Sequence, residues 1–179
     1  MLFYHGTNML IGQIDLNKCR PRTDFGKGFY LTDKVRTAQN WAIRKSELLG
    51  GTPTVLSYTI DKLANGLSGK RFSDTPDFEW LSFICENRRR NEPNVIEHEP
   101  RHNFHWVFGP IADDRVFDVV DMFREGDISA EDAIRRIRLL PSTLQLSLHK
   151  EDAIKHVDDT NVLYRQFVDG TWTKDWVRR

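Results

Sequence analysis

A histidine, a glycine and a threonine follow one another near the start of the chain. His5 lies at the end of a short predicted strand, and Gly6 permits either a tight turn or the close approach of a ligand. His5 is therefore a candidate ligand-binding residue. The same pattern also fits a histidine that only satisfies a backbone group beneath a turn, and the residue types alone leave both interpretations open.

Two glycines precede a second predicted strand, which presents Tyr30 and Thr32 on one side. Gly26 and Gly28 clear space in front of that strand. A ring and a hydroxyl in this arrangement suit a flat aromatic ligand, because the ring can stack and the hydroxyl can orient it. The alternative is the entry of a hairpin in which Tyr30 is half-buried.

Polar residues and leucines alternate strictly near residue 145. Gln145, Ser147 and His149 occupy every second position, so a strand here projects three polar groups onto one face. That face belongs either to a binding site or to an ordinary solvated sheet surface.

Two further groups of residues could carry function. Arg88, Arg89 and Arg90 follow Trp80, Phe83 and Asn87, a combination that fits either an RNA-docking patch or a solvated helix end favoured by the helix dipole.

The histidines at positions 98, 102 and 105 raise the question of a metal. Their spacing matches no common zinc pattern, and Pro100 interrupts any shared helix face. We therefore predict no metal.

The elements that must position these residues follow one another in an irregular order. Periodicity and turn residues predict strands over 2–5, 27–32, 55–60, 104–108, 144–149 and 162–168, and helices over 34–49, 78–87, 113–123 and 130–140, with 68–76 as a loop. Asp33 and Ser129 are the expected N-caps. The order predicts one α+β domain over residues 1–179 with an antiparallel or mixed sheet. Glycine-rich dinucleotide or P-loop motifs do not occur in the sequence.

The composition of the chain argues against several classes of function. The chain has 179 residues with 26 basic and 26 acidic side chains, so its formal net charge is +0, which argues against binding of nucleic acid or anionic membrane by bulk charge. Cys19 and Cys85 form no CxxC motif and do not indicate a disulfide framework. With no apolar run long enough to span a bilayer, we expect a cytoplasmic protein without a membrane partner.

Several of these motifs together resemble the DUF3990 group of the ADP-ribosyltransferase superfamily. The resemblance extends from His5 to about Ala153. It is carried by His5-Gly-Thr, the block RTDFGKGFYLT from Arg22 to Thr32, the following Ala38-Gln-Asn-Trp41-Ala, the stretch from Trp80 to Arg88, Gly109-Pro-Ile-Ala-Asp-Asp114, and Leu144-Gln-Leu-Ser-Leu-His149.

The resemblance implies a split β-sandwich fold with flanking helices, NAD⁺ as co-substrate without a metal, and a signature of His, Tyr, and Glu or Gln. The signature maps onto His5, Tyr30 and Gln145 as catalytic residues. The cofactor-binding set that it implies is His5, Gly6, Thr7, Arg22, Gly28, Phe29, Tyr30, Thr32 and Gln145, with Trp41 in the pocket wall; Asn87, Arg88 and His149 are assigned to substrate binding.

Within that resemblance His5 binds the adenosine-side ribose, the Gly6 backbone meets the nicotinamide amide, Tyr30 stacks on the nicotinamide ring and Arg22 pairs with the pyrophosphate. Gln145 orients a ribose hydroxyl but cannot act as a general base, because its amide is neutral. Asp24 and His149 are the groups that could substitute.

The expected activity is mono-ADP-ribosyl transfer to a macromolecular acceptor, either a protein or a single-stranded nucleic acid. The resemblance implies a toxin-like bacterial or phage enzyme of a toxin–antitoxin or defence module, with an antitoxin protein as a partner. Two alternatives stay open: an enzyme similar to NAD-dependent RNA 2′-phosphotransferases, and a non-catalytic module that binds NAD⁺ or ADP-ribose.

Overall fold

A mixed β-sheet flanked by helices forms the framework of the computed structural model, which describes residues 1–61, 63, 66–88, 101–112, 114–139 and 143–179. The strands are β1 (Leu2–Thr7), β2 (Phe29–Thr32), β3 (Thr54–Ile60), β4 (Gly69–Arg71), β5 (Trp106–Pro110), β6 (Leu144–Leu148), β7 (Val157–Val168), β8 (Thr171–Trp172) and β9 (Val177–Arg178). The helices are α1 (Val35–Leu49), α2 (Phe78–Asn87), α3 (Asp114–Glu125), α4 (Ala130–Arg138) and α5 (Glu151–Ile154).

The strand order in the sheet is β4-β5-β6-β2-β1-β3-β7-β8, and β9 pairs with β7 outside this path. The pair β4–β5 is parallel, whereas the pairs along the rest of the sheet are antiparallel. The predicted α+β class with a mixed sheet is therefore confirmed. The strands β6, β2 and β1, which are far apart in sequence, lie next to one another in the centre.

Alternation along these strands gives the sheet two different faces. One face is apolar and buries a core that includes Phe3, Phe29, Leu31, Leu146 and Leu148, with α5 packed on it. The opposite face is covered by α1 over β1 and β3, and by α2, α3 and α4 next to β5. We call this second side the polar face, because β2 and β6 project their polar side chains from it.

Helix α2 spans the predicted residues, but its buried side differs from the prediction. We expected Phe78 on the packed stripe and Trp80 at its flank; instead Phe78 is 56% exposed and Trp80 is 0% exposed. Trp80 is buried because its large apolar ring packs in the core and its one polar group finds a partner there. Trp80 Nε1 donates a hydrogen bond to the Pro110 carbonyl at 3.0 Å.

Two N-caps test the local predictions. Ser129 caps α4 by accepting from the Asp132 amide at 3.2 Å, as expected. The N-cap of α1 is Lys34 rather than Asp33, and it has no side-chain cap hydrogen bond.

The strand β4 lies where we predicted a loop, because Gly69–Arg71 carries no apolar alternation. Its pairing depends instead on Gly69, since a Cβ there would lie 1.9 Å from the Trp106 ring. Among the helices of the described residues, none is long and apolar enough to cross a bilayer.

Gly6 allows α1 to approach β1 closely, and this contact yields a prediction. A Cβ on Gly6 would lie 2.0 Å from the Ala38 carbonyl oxygen, a backbone atom that moves only if α1 moves. We expect Gly6→Ala to lower the free energy of unfolding by about 2 kcal/mol or more, measured by urea denaturation.

Gly12→Ala is the matched control, because nothing lies within 4 Å of a Cβ at Gly12. We expect it to change the free energy of unfolding by no more than about 0.5 kcal/mol. Equal stability of the two variants would contradict the close packing of α1 on β1.

Candidate functional site

Three neighbouring strands bring together the residues that the sequence singled out. Thr32 of β2 lies opposite Gln145 of β6, and Tyr30 lies opposite Ser147, so all four side chains share the polar face. The pair Tyr4↔Thr32 puts His5 on the other face. The three signature residues therefore occupy adjacent strands, but only Tyr30 and Gln145 share a face.

His5 is connected to β2 through the backbone. Its Nδ1–H donates to the Tyr30 carbonyl at 2.7 Å, which leaves Nε2 as a hydrogen-bond acceptor. The ring stacks on Phe29 with the centroids 4.4 Å apart. Burial lowers the pKa of His5 to about 4, and the nearby Lys45 contributes in the same direction, so the imidazole is neutral at pH 7.

The hydroxyl of Tyr30 holds the turn that precedes β2. It donates to the Gly26 carbonyl at 2.7 Å and accepts from the Phe25 amide at 2.9 Å and from the Thr23 hydroxyl at 2.9 Å. Burial is the main cause that raises the pKa of Tyr30, and the Asp24 carboxylate adds to it. With its hydroxyl fully engaged, Tyr30 offers a ligand only its ring.

The side chain of Gln145 is buried and bound to the same turn. Its Nε2 donates to Asp24 Oδ2 at 2.6 Å and approaches the Pro110 carbonyl at 3.4 Å. Asp24 Oδ2 also accepts from the backbone amide of Ala112 at 2.9 Å. The turn between residues 23 and 26 thus fixes both Tyr30 and Gln145.

Arg88 completes this buried group from the end of α2. Its Nη2 donates to Asp24 Oδ1, and its guanidinium lies over the Phe117 ring at 3.4 Å from the centroid. Nε and Nη1 of Arg88 are buried and find no partner in the described part of the chain. Arg88 is therefore part of the framework of the site and neutralises its carboxylate.

His149 closes the polar face of β6. Its Nδ1–H donates to the Lys27 carbonyl at 2.8 Å, and its Nε2 accepts from the Ser147 hydroxyl at 2.8 Å. Burial lowers the pKa of His149 to about 3. Gly28 is needed beneath it, because a Cβ there would lie 2.6 Å from Nδ1. Gln145 and Ser147 of β6 and the adjoining His149 are thus buried and hydrogen-bonded rather than solvated.

His102 and Asn87 line the same region from outside the sheet. His102 donates from Nε2 to the Phe25 carbonyl at 2.8 Å and accepts from the Phe104 amide at 3.1 Å, and burial lowers its pKa. Asn87 is buried; its Oδ1 accepts from the backbone amide of Arg101 at 3.2 Å. Asn87 therefore connects the end of α2 to residue 101.

The remaining predicted site residues differ in burial. Thr7 and Thr32 are buried, and Thr32 donates to the Leu144 carbonyl at 3.0 Å. Phe29 belongs to the apolar core, and Arg22 is exposed with a backbone φ of 59°. Trp41 is exposed on α1.

Sequence reasoning treated Asp24 only as a substitute group and did not foresee that it links the site. Its position in the sequence could have indicated that role, because Asp24 lies in the same motif as Arg22 and Tyr30 and directly precedes Phe25, which is buried.

Some of the predicted residues lie outside the part of the chain that the structure describes. These are Arg89, Arg90 and His98. Within the described ranges, no group of three or more His, Cys, Asp or Glu side chains is arranged to hold a metal ion.

The chemistry available to this site is binding and orientation. Its histidines are neutral, its tyrosine hydroxyl is engaged, and the carboxylate that contacts Gln145 is neutralised by Arg88. Such a site can hold a ligand with hydrogen-bond donors and an aromatic surface more readily than it can transfer a proton.

Comparison with known proteins gives one match. The family model described as "Protein of unknown function (DUF3990)" matches residues 1–158, which include all of β1 to β6. The searches of curated proteins and of solved structures gave no match.

The buried neutral His149 yields a prediction about pH. Its folded pKa of about 3 lies below the ordinary value of 6.5, so its contribution to stability is present above pH 6.5 and is lost as the pH falls towards 3. We expect His149→Gln, which can keep both hydrogen bonds, to lose about 2 kcal/mol less stability than the wild type between pH 7 and pH 5. Urea denaturation at the two pH values measures this difference, and equal losses would contradict a neutral buried imidazole.

Proposed function

Since the chain belongs to the DUF3990 family, and since its motifs resemble those of ADP-ribosyltransferases, we propose that it is a mono-ADP-ribosyltransferase that uses NAD⁺. The acceptor is a macromolecule, either a protein or a single-stranded nucleic acid. The proposal includes the split β-sandwich form of the fold, a cytoplasmic location and a neutralising antitoxin partner, as the resemblance implies.

One observation carries the proposal: the three strands that bear the signature residues are neighbours. His5, Tyr30 and Gln145 are separated by 25 and 115 positions in the sequence, yet β1, β2 and β6 pair directly in the centre of the sheet. This adjacency supports the proposal, with Tyr30 and Gln145 on the polar face and His5 on the opposite face.

The hydrogen-bonding capacity of the site fits a ligand that carries ribose. On the polar face, the Gln145 amide nitrogen faces two acceptors, which leaves its oxygen for a ligand. On the opposite face, His5 keeps Nε2 as an acceptor after Nδ1–H is used. Ribose hydroxyls are donors that such acceptors can bind. The Tyr30 ring, held at its hydroxyl, supplies a surface on which a nicotinamide ring can stack.

The reaction does not require a strong acid from the protein. When bound, NAD⁺ supplies a cationic nicotinamide leaving group and a transition state with oxocarbenium character, similar to that of glycoside cleavage. The task of Tyr30 and Gln145 on the polar face is then to bind and orient the ligand, which engaged and neutral groups can do. His5, on the opposite face, holds the backbone of Tyr30. A general base at Gln145 is excluded by its amide, so we assign activation of the nucleophile to the acceptor itself.

A second candidate function follows from the state of Asp24. Its carboxylate is sealed by Arg88 and by the Ala112 amide, so it is not free to stabilise positive charge on a ligand. This observation favours a module that binds NAD⁺ or ADP-ribose without turnover, and the assay below separates it from the enzyme.

We expect the purified protein to release nicotinamide from NAD⁺ and to transfer label from labelled NAD⁺ to a component of a cell lysate. Gln145→Ala and Tyr30→Ala should each lower labelling by about a hundredfold or more, because each removes a group that orients the ligand. Gln166→Ala is the matched control: Gln166 also hydrogen-bonds within the sheet, to Thr54 Oγ1 at 3.1 Å, but on β7.

Digestion of the labelled product identifies the acceptor class. Label that survives nuclease but not protease indicates a protein, and the reverse indicates nucleic acid. Binding of NAD⁺ without nicotinamide release supports the non-catalytic module. Full labelling by folded Gln145→Ala and Tyr30→Ala variants would contradict the assignment of the site.

A further inference from the structure

The amide of Gln145 can adopt only one orientation in its surroundings. The two groups that face its Nε2 are a carboxylate oxygen of Asp24 at 2.6 Å and the carbonyl oxygen of Pro110 at 3.4 Å, and both can only accept. If the amide were turned over, its oxygen would face both acceptors inside the core. No group in the described ranges donates to Oε1, which is therefore the atom left for a ligand.

From this contact we propose that Asp24 is a positioning residue that fixes the Gln145 amide with Oε1 towards the ligand, and that this requires glutamine rather than glutamate at position 145. The inference rests on the proposed function for the identity of the ligand, a ribose hydroxyl. The pairing of Asp24 with Gln145 rests on the geometry alone.

Asp24 is suited to this role because its carboxylate accepts from three separate parts of the chain. Arg88 binds Oδ1 from the end of α2, while the Ala112 amide and Gln145 bind Oδ2. The side chain is buried, so its charge needs these donors to offset the loss of water. A carboxylate that is sealed in this way cannot reach a ligand, and it acts through Gln145.

A glutamate at position 145 would place two carboxylates in contact. Its oxygen would replace Nε2 at 2.6 Å from Asp24 Oδ2 and would still face the Pro110 carbonyl. Two carboxylates at this distance cannot both stay ionised, and one of them takes up a proton or turns away. Arg88 lies on the far oxygen of Asp24 and does not separate the two groups.

Charged or titratable side chains from several elements contact this pair directly, or contact the turn and the strands that hold it. They are Arg88 from α2, Tyr30 from β2, His149 after β6, and His102 next to the Phe25 carbonyl. Each variant is compared with the wild type at the same pH, so any titration of these histidines or of the tyrosine is common to both proteins, and the difference between them belongs to the pair of carboxylates.

The experiment compares four variants of the full chain with the wild type. Gln145→Glu introduces the second carboxylate, and Asp24→Asn with Gln145→Glu restores one carboxylate and one amide. Asp24→Asn alone completes the cycle. Gln166→Glu is the matched control, because the partner of Gln166 is the Thr54 hydroxyl, which can turn from the Thr52 carbonyl to donate to a carboxylate.

The melting temperature is the first measurement. We expect Gln145→Glu to melt about 5 °C or more below the wild type at pH 8 and much closer to it at pH 5, where the pair holds a proton. Adding Asp24→Asn should recover part of the loss at pH 8. Recovery stays partial because an asparagine at position 24 has only one acceptor oxygen. That oxygen has to serve both Arg88 and the Ala112 amide, while the amide nitrogen donates to the new carboxylate at position 145. A Gln145→Glu protein that melts like Gln166→Glu at pH 8 overturns the pairing, as does a double variant with no recovery.

Nicotinamide release from NAD⁺ is the second measurement. Folded Gln145→Glu should lose at least about tenfold in kcat at pH 8 relative to the wild type, regain activity as the pH falls, and lose this pH dependence when Asp24→Asn is added. A merely structural role of Asp24 would not produce this reversal of the pH profile. Wild-type kcat in folded Gln145→Glu at pH 8 overturns the positioning role. If the wild type releases no nicotinamide, the proposed function fails, and the melting series still decides whether Asp24 fixes Gln145.

Discussion

The buried carboxylate of Asp24 is the interaction on which the centre of this protein depends. A charge removed from water is tolerated only when its oxygens are supplied with donors. Here the donors come from α2, from the segment after β5 and from β6. All three therefore contribute donors to the turn at residues 23–26, and that turn holds Tyr30. The residues that form the candidate site are thus the same residues that connect the helices to the sheet.

A second property follows from the depth of this centre. Its imidazoles are neutral and each has a fixed tautomer, because one ring nitrogen donates to a backbone carbonyl: Tyr30 for His5, Phe25 for His102 and Lys27 for His149. Each of these histidines therefore donates from one ring nitrogen to the backbone and keeps the other ring nitrogen as an acceptor. A site built in this way presents fixed polarity to a ligand and changes little between pH 7 and pH 8.

The sequence predicted this arrangement unevenly, for physical reasons. The alternation of leucines with polar residues predicted β6 and its polar side. Ser129, followed by the acidic residues Glu131 and Asp132, predicted the start of α4. Three-residue β4 escaped prediction because its pairing depends on the space that Gly69 leaves for Trp106, a contact between residues far apart in sequence. The burial of Trp80 in place of Phe78 escaped for the same reason, since the Pro110 carbonyl that accepts from the indole is 30 positions away. His5, Tyr30 and Gln145 were found by residue type and motif, whereas the link through Asp24 and Arg88 required the tertiary structure.

The side chain of Asn87 has a consequence for how this protein can vary. Its Nδ2 donates to the Phe83 carbonyl inside α2, and its Oδ1 accepts from the amide of Arg101. Residue 101 is therefore fastened to the end of α2, next to Arg88 and the carboxylate that Arg88 binds. Because the amide of Asn87 is buried and uses both its nitrogen and its oxygen, a replacement there must donate and accept at the same side-chain length. Variation at position 87 is thus restricted by the two backbone segments that this one amide joins.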